Sequence, residues 1–175
     1  SKTVGVDSYL TLVEMRDVQV LMIGGVEAVG IFTLPGGSNF LSALNAAGGI
    51  SEAGSFRRIE HKRDGKVLKV YDLYDIFVDA KFEFSTTLRS GDIIFVQPKA
   101  FEVPVTGGIA YPAIFEIMDG ETVNDVINFA GGFSEGHSGF DYVEIKRYDL
   151  DSQSEGTINL VNLMTVNLKP RDSIR

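Results

Sequence analysis

The sequence predicts an α+β protein of two tandem modules, in each of which a small mixed sheet is covered by one short helix. Three observations predict this fold class: a block of sequence that recurs at a constant spacing of 83 residues, one amphipathic helix in each copy, and strand and hairpin patterns around that helix. The chain has 175 residues, of which 44% are hydrophobic and 23% charged, and this composition is typical of a globular protein.

The internal repeat defines the expected modules. The stretch from Gly24 to Leu34 aligns without gaps on the stretch from Gly107 to Ile117, and the register holds through the helix that follows. Further along the chain the copies drift by one residue. We therefore predict an N-terminal connecting segment over residues 1–19, a first module over residues 20–98, and a second module over residues 99–175 that is truncated at its end.

One helix in each copy has a recognisable start, face and end. Asn39 and Thr122 are favourable N-caps, and the Gly-Gly pairs at positions 48–49 and 131–132 suit the left-handed caps that end helices. Apolar residues between these signals fall at i, i+3, i+4 and i+7, which predicts a helix that packs one face on a sheet. The residues of this stripe are Phe40, Ala43, Leu44 and Ala47 in the first copy and Val123, Val126, Ile127 and Ala130 in the second.

A hairpin follows the helix in both copies. The predicted strands over residues 58–63 and 67–71 flank an Asp-Gly pair at positions 64–65, which is a strong signal for a two-residue turn. In the second copy the predicted strands cover residues 142–148 and 157–161. The polar tip between them is longer, so we expect the two modules to differ mainly there.

Composition excludes several classes of function. The formal net charge of -8 repels nucleic-acid backbones and anionic lipid headgroups, so we predict no nucleic-acid partner. The chain has no cysteine, which excludes disulfides, thiolate metal sites and cysteine nucleophiles. Its apolar stretches are far shorter than the ~20 residues of a membrane-spanning helix, so we predict no transmembrane segment.

Four features recur in the same order in both copies: a Gly-rich strand link, a turn, a helix that ends in Ala-Gly-Gly, and a closing strand. In the first copy the closing segment reads Leu-x-x-Gly-Asp-x-Ile over residues 88–94. In these features the chain resembles the soluble ligand-binding β-grasp (SLBB) repeats of bacterial polysaccharide export proteins of the outer membrane. Arg171 departs from the pattern, because it stands where the closing segment of the family has a glycine. The resemblance implies two tandem β-grasp-like modules.

The same resemblance implies a function in capsule or exopolysaccharide export. The chain would be a non-catalytic repeat region on the periplasmic face of the outer membrane, with polysaccharide as cargo, a homo-oligomeric ring as the assembled state, and an inner-membrane export partner. The alternative is a binding module for a soluble small ligand, such as a cobalamin-like molecule or a saccharide. A carbohydrate-active enzyme would instead require two carboxylates that face each other across a cleft.

The sequence contains no catalytic or metal-binding pattern. No Ser, His and Asp set accompanies a Gly-x-Ser-x-Gly elbow, and His61 and His137 are too few for a zinc site without cysteine. The acidic residues between positions 149 and 155 lack the glycine and the glutamate of a calcium loop. We therefore predict no catalytic residue, no metal and no cofactor, and we interpret both histidines as ordinary polar residues.

Glycan contact, if the chain makes it, would use exposed aromatic residues with polar neighbours. The candidates are Tyr111, Phe140, Asp141 and Tyr142. The alternative is that the aromatic residues of this group fill the small cores.

Overall fold

A computed structural model describes residues 16–78, 80–81, 86–135, 143–149, 154–160 and 166–175. The first half of the chain contains β1 (Val18–Gly24), β2 (Gly30–Leu34), α1 (Phe40–Ala46), β3 (Gly54–Arg63), β4 (Lys66–Tyr71), α2 (Leu73–Phe77) and β5 (Ile93–Pro98). The second half contains β6 (Phe101–Val105), β7 (Ala113–Ile117), α3 (Val123–Phe129), β8 (Val143–Asp149), β9 (Ser154–Leu160) and β10 (Ser173–Ile174).

These strands form two five-stranded sheets with the same topology. Their strand orders are β2-β1-β5-β3-β4 and β7-β6-β10-β8-β9, so each strand of one sheet has a counterpart in the other. In both sheets the last strand lies in the middle, parallel to the first strand and antiparallel to the third. The predicted fold class, α+β with two modules of mixed sheet and short helices, is confirmed.

Each module buries its own hydrophobic core between the sheet and the helix. In the first module Phe40, Ala43 and Leu44 of α1 pack with Val20 and Met22 of β1. The stripe residues of α3 occupy the same place in the second core, together with strand residues of β6, β8 and β10. The predicted stripe is therefore the buried face of each helix.

The predicted helix caps are also present. The Asn39 side chain accepts a hydrogen bond from the backbone N–H of Ser42, at 3.1 Å. Thr122 forms a capping box with Asp125, whose carboxylate accepts from the Thr122 N–H at 2.8 Å. Gly48 and Gly131 end the two helices with φ values of 83° and 78°, in the region that favours glycine.

The hairpins extend further than the sequence pattern predicts. Asp64 and Gly65 have φ values of 51° and 73°, as a tight primed turn requires, but β3 begins four residues before the predicted strand, at Gly54. In the second module the pairing continues to Asp149 opposite Ser154, so the tip is shorter than expected. A polar strand end makes the same backbone hydrogen bonds as an apolar one, and hydrophobic alternation cannot detect it.

Helix α2 was not predicted. Three aspartates at positions 72, 75 and 79 are interpreted from the sequence as a solvated acidic surface, and position 79 lies outside the described residues. Asp72 is instead the N-cap of α2, and its carboxylate accepts from the Tyr74 N–H at 2.8 Å. The helix has only 5 residues, which is too short for a periodic pattern to be visible.

Candidate functional site

The two modules meet in a hydrogen-bonded joint centred on Glu116 of β7. Glu116 is only 3% exposed although it is a carboxylate. Its side chain accepts from the Ser55 hydroxyl at 2.6 Å and from the Phe56 N–H at 2.9 Å, and both groups belong to the first module. The backbone N–H of Glu116 donates to the Tyr74 hydroxyl at 2.9 Å. One residue of the second module thus finds its polar partners in the first.

Arg57 of β3 is the second polar centre of the joint, and it is 8% exposed. Its guanidinium donates to a Glu121 carboxylate oxygen at 2.6 Å and to the Glu116 carbonyl oxygen at 3.2 Å, both across the joint. Within its own module it donates to Asp72 at 3.0 Å. These bonds engage Nε and Nη1 of the guanidinium with two carboxylates and a carbonyl, and such pairing is the condition for burying a charge.

The charges of the joint shift the pKa values of their neighbours. Burial acts to lower the pKa of Arg57, but the hydrogen bond and charge of Glu121 and the charge of Asp72 outweigh it and keep that pKa above its ordinary value. Burial raises the pKa of Asp72 above its ordinary value, in spite of Arg57 and the Tyr74 N–H. Burial likewise raises the pKa of Tyr74. These directions agree with the near-complete burial of Arg57 and Glu116, which keeps water away from the centre of the joint.

Aromatic rings surround these polar groups. Tyr74 makes edge-to-face contacts with Phe115 and Phe129, at centroid distances of 6.4 and 5.1 Å. The Arg57 guanidinium lies 4.5 Å from the Tyr74 centroid and 5.0 Å from that of Phe129. Since only Lys99 and Ala100 connect β5 to β6, we conclude that the joint, together with this short link, holds the second module against the first.

A second polar cluster recurs in both modules beside the central strand. Asp92 accepts from Arg63 at 2.7 and 2.8 Å, and Asp172 accepts from Arg147 at 2.8 and 2.6 Å. Each carboxylate also accepts from a backbone N–H three residues earlier. Both aspartates are almost fully buried, so this bidentate pair ties the third strand to the turn before the last strand.

His61 joins this cluster in the first module alone. The sequence predicts an ordinary polar residue at this position, but His61 is fully buried on the core side of β3, with Nε2 at 2.7 Å from Asp92. Its Nδ1 has no hydrogen-bond partner among the described residues. By the one-residue drift of the repeat, the same position in the second module is the apolar residue Ile145. The described residues contain no group of acidic and histidine side chains that could hold a metal, and His137 lies outside them.

The predicted glycan-contact residues are only partly described. Tyr111 lies in the link before β7 and is 71% exposed, so it does not fill a core. Phe140, Asp141 and Tyr142 lie outside the described residues. A shallow cleft elsewhere, of about 250 Å³ between the end of β4 and α2, is lined by Tyr71, Asp72, Asp75, Ile76, Val70 and two lysines.

Sequence reasoning missed the joint, although the repeat contained a signal for it. Glu116 stands at the position of Thr33, and Glu121 at that of Ser38. Glu116 is a carboxylate among the apolar residues of β7, and it marks the strand at which the second module contacts the first. Its partners on β3 and α2 could not be identified, because they are between 42 and 61 residues away in the chain.

The fold and the joint define the class of protein: a tandem pair of small α+β modules that share one strand order and contact each other through specific hydrogen bonds. The chain belongs to the SLBB domain family, whose match covers residues 19–71 and 102–140, just over half of its length. Two curated relatives, both described as polysialic acid transport protein KpsD of Escherichia coli, are 30% identical to it over 115 residues. That region is 65% of this chain and 20% of each relative, so the chain spans about a fifth of the proteins it matches.

None of the described helices is long and apolar enough to cross a membrane.

Proposed function

We propose that this chain is a non-catalytic, periplasmic repeat region of a polysaccharide export protein at the outer membrane, where it mediates assembly of a homo-oligomeric ring. The observation that supports this proposal most directly is the pair of SLBB modules held together by a buried joint. A joint of this kind presents two modules to neighbours as one unit. The similarity to polysialic acid transport proteins supports polysaccharide as the class of cargo.

Glycan contact is a finer part of the proposal. The exposed Tyr111 offers an aromatic face of the type on which sugar rings stack, and Phe140, Asp141 and Tyr142 follow in the sequence. We place an inner-membrane export partner in the same assembly. In this scheme the modules supply position and contact surface, and none of their residues performs chemistry.

Deletion of the gene for the intact protein tests the export role. We expect loss of surface polysaccharide and accumulation of polymer inside the cell, with both restored by the wild-type gene. Normal surface polysaccharide after deletion would exclude the export role. Light scattering on the intact protein in detergent tests the ring, and a strictly monomeric protein would exclude it.

A further inference from the structure

The shallow cleft between the end of β4 and α2 has the size and lining of a site for a small polar ligand. Its volume of about 250 Å³ is below the range of about 300–1,000 Å³ that is usual for pockets of drug-sized ligands. Four of its seven lining residues are charged, whereas pockets for apolar ligands are lined mainly by apolar side chains. The cleft therefore suits a single small and polar ligand unit.

This cleft carries a local excess of positive charge. Lys69 and Lys81 contribute two ammonium groups, and Asp75 contributes one exposed carboxylate. Asp72 also lines the cleft, but its carboxylate accepts from the Arg57 guanidinium at 3.0 Å, so its charge is offset within the joint. On a chain with a net charge of -8, such an excess favours a ligand with a negative charge.

The structure holds the two lysines of the cleft in place. The Lys69 ammonium lies 5.3 Å from the centroid of the Tyr71 ring, which is itself stacked on Phe40 of α1 at a centroid distance of 3.7 Å. The backbone N–H of Lys81 donates to the Asp75 carbonyl oxygen at 2.9 Å, which keeps residue 81 beside α2. The two cations thus reach the cleft from different segments of the chain.

Asp75 restricts the kind of anion that the cleft can accept. A bare inorganic anion is repelled by a carboxylate at this distance from the lysines. A sugar acid can use the same carboxylate, because its hydroxyl groups donate to Asp75 while its own carboxylate accepts from an ammonium. Ile76 lines the cleft as well and offers an aliphatic surface to the C–H groups of a sugar ring.

The second module shows that the fold does not require these charges. Its β8–β9 hairpin corresponds to β3–β4, so most lining positions have a counterpart there, and all of these counterparts are apolar. In the order Lys69, Tyr71, Asp72 and Asp75, they are Ile158, Leu160, Val161 and Met164. The charged lining is therefore a property of the first module alone.

We propose that this cleft binds one carboxylate-bearing sugar unit of a polysaccharide. Lys69 and Lys81 pair with the sugar carboxylate, and Asp75 accepts hydrogen bonds from the ring hydroxyls. The proposal rests on the proposed function in polysaccharide export, and it names a site and a class of sugar for it. The site lies in the first module and is distinct from Tyr111 in the second.

An NMR titration of the chain with sodium glucuronate at pH 7 and constant ionic strength tests the proposal. We expect saturable shifts at residues 69–76, with a dissociation constant of about 1–10 mM for so small a ligand. Glucose lacks the carboxylate and acetate lacks the ring, so each should bind about fivefold more weakly or less. Acetate or glucose that binds as tightly as glucuronate would overturn the assignment of a sugar acid.

Two variants locate the site. Lys69→Ile introduces the residue of the second module, and Lys81→Ala removes the other ammonium. Each should weaken glucuronate binding about fivefold. The matched control is Lys66→Ile, which makes the same change of charge on β4 at an exposed lysine outside the cleft and should leave the affinity unchanged.

Circular dichroism verifies that each variant is folded. A wild type without saturable binding, or folded Lys69→Ile and Lys81→Ala variants that bind like wild type, would overturn the proposal. Loss of surface polysaccharide on gene deletion in that case would show that the export role stands without this site. Normal surface polysaccharide after deletion, together with glucuronate binding that depends on Lys69, would exclude the export role and leave the cleft as a sugar-acid site.

Discussion

Asp92 is a buried carboxylate that accepts hydrogen bonds from several parts of the first module. It accepts from the Arg63 guanidinium, from the Arg89 N–H and from His61 while it is itself fully buried. Burial acts to raise the pKa of Asp92, but the hydrogen bonds from Arg63, Arg89 and His61 outweigh it and lower that pKa to about 2. The ionised form is thus favoured in the folded state.

This pKa shift predicts a loss of stability in acid. Because the pKa of Asp92 is lower in the folded chain than its ordinary 3.8, its contribution is complete above about pH 5 and disappears as the pH falls toward 2. The contribution is about 2 kcal/mol. We expect Asp92→Asn to be less stable than wild type at pH 6 and to lose less stability between pH 6 and 3. Urea unfolding at both values measures this, with the exposed Glu52→Gln as control. An unchanged pH dependence in Asp92→Asn would refute the assignment.

His61 offers a second test at the scale of one residue. In the second module Asp172 keeps its arginine and its backbone donor beside Ile145, without a histidine. We therefore expect His61→Ile to change the free energy of unfolding by less than about 1 kcal/mol, because loss of the hydrogen bond to Asp92 is offset by removal of a buried nitrogen that has no partner among the described residues. Thermal unfolding at pH 7 measures this, with Arg63→Ala as the destabilised comparison. A marked loss of stability in His61→Ile would mean that the histidine is required by the cluster.

The helix ends carry the prediction at the scale of one element. Gly131 has a φ of 78°, and a Cβ added there would lie 2.6 Å from the Tyr111 ring. A Cβ added at Gly48 would lie 3.2 Å from the Cβ of Glu27. We expect Gly48→Val and Gly131→Val each to destabilise the chain by about 1 kcal/mol or more. Gly156→Val in β9 is the matched control, because its Cβ would meet only the Arg147 carbonyl at 3.9 Å. Equal urea midpoints for all three variants would show that these caps are not needed.

Elements that depend on residues close in sequence could be predicted, whereas contacts between residues far apart in sequence could not. The caps at Asn39 and Thr122 and the turn at 64–65 depend on neighbours within a few residues, and all three are present. The buried state of Glu116 depends on residues of another module, so no local pattern identifies its partners. His61 occupies a core position of β3 that alternation alone would assign to an apolar residue. The two modules followed from the repeat, because a repeated sequence folds the same way twice.

At the scale of the whole molecule, the joint predicts that the two modules unfold together. Glu116→Thr introduces the residue of the first module at the same repeat position and leaves the Ser55 hydroxyl and the Phe56 N–H without their acceptor. We expect a loss of about 2 kcal/mol and a change from one thermal transition to two. Calorimetry measures both effects. Glu102→Thr, an exposed carboxylate on β6, is the control and should keep a single transition. One unchanged transition in Glu116→Thr would mean that the joint does not couple the modules.

The position of β5 and β10 at the centre of their sheets has a consequence for how the chain folds during synthesis. The strand that holds each sheet together is the last one to be made, and it must enter between two strands already present. Until that moment the first and third strands each present an open edge, which is the kind of surface that captures strands from other chains. A nascent chain paused between Tyr71 and Ile93 therefore carries the hairpins β1-β2 and β3-β4 without the central strand that joins them. A module therefore cannot complete its sheet until its last strand has been synthesised, and until then these edges are exposed to other chains.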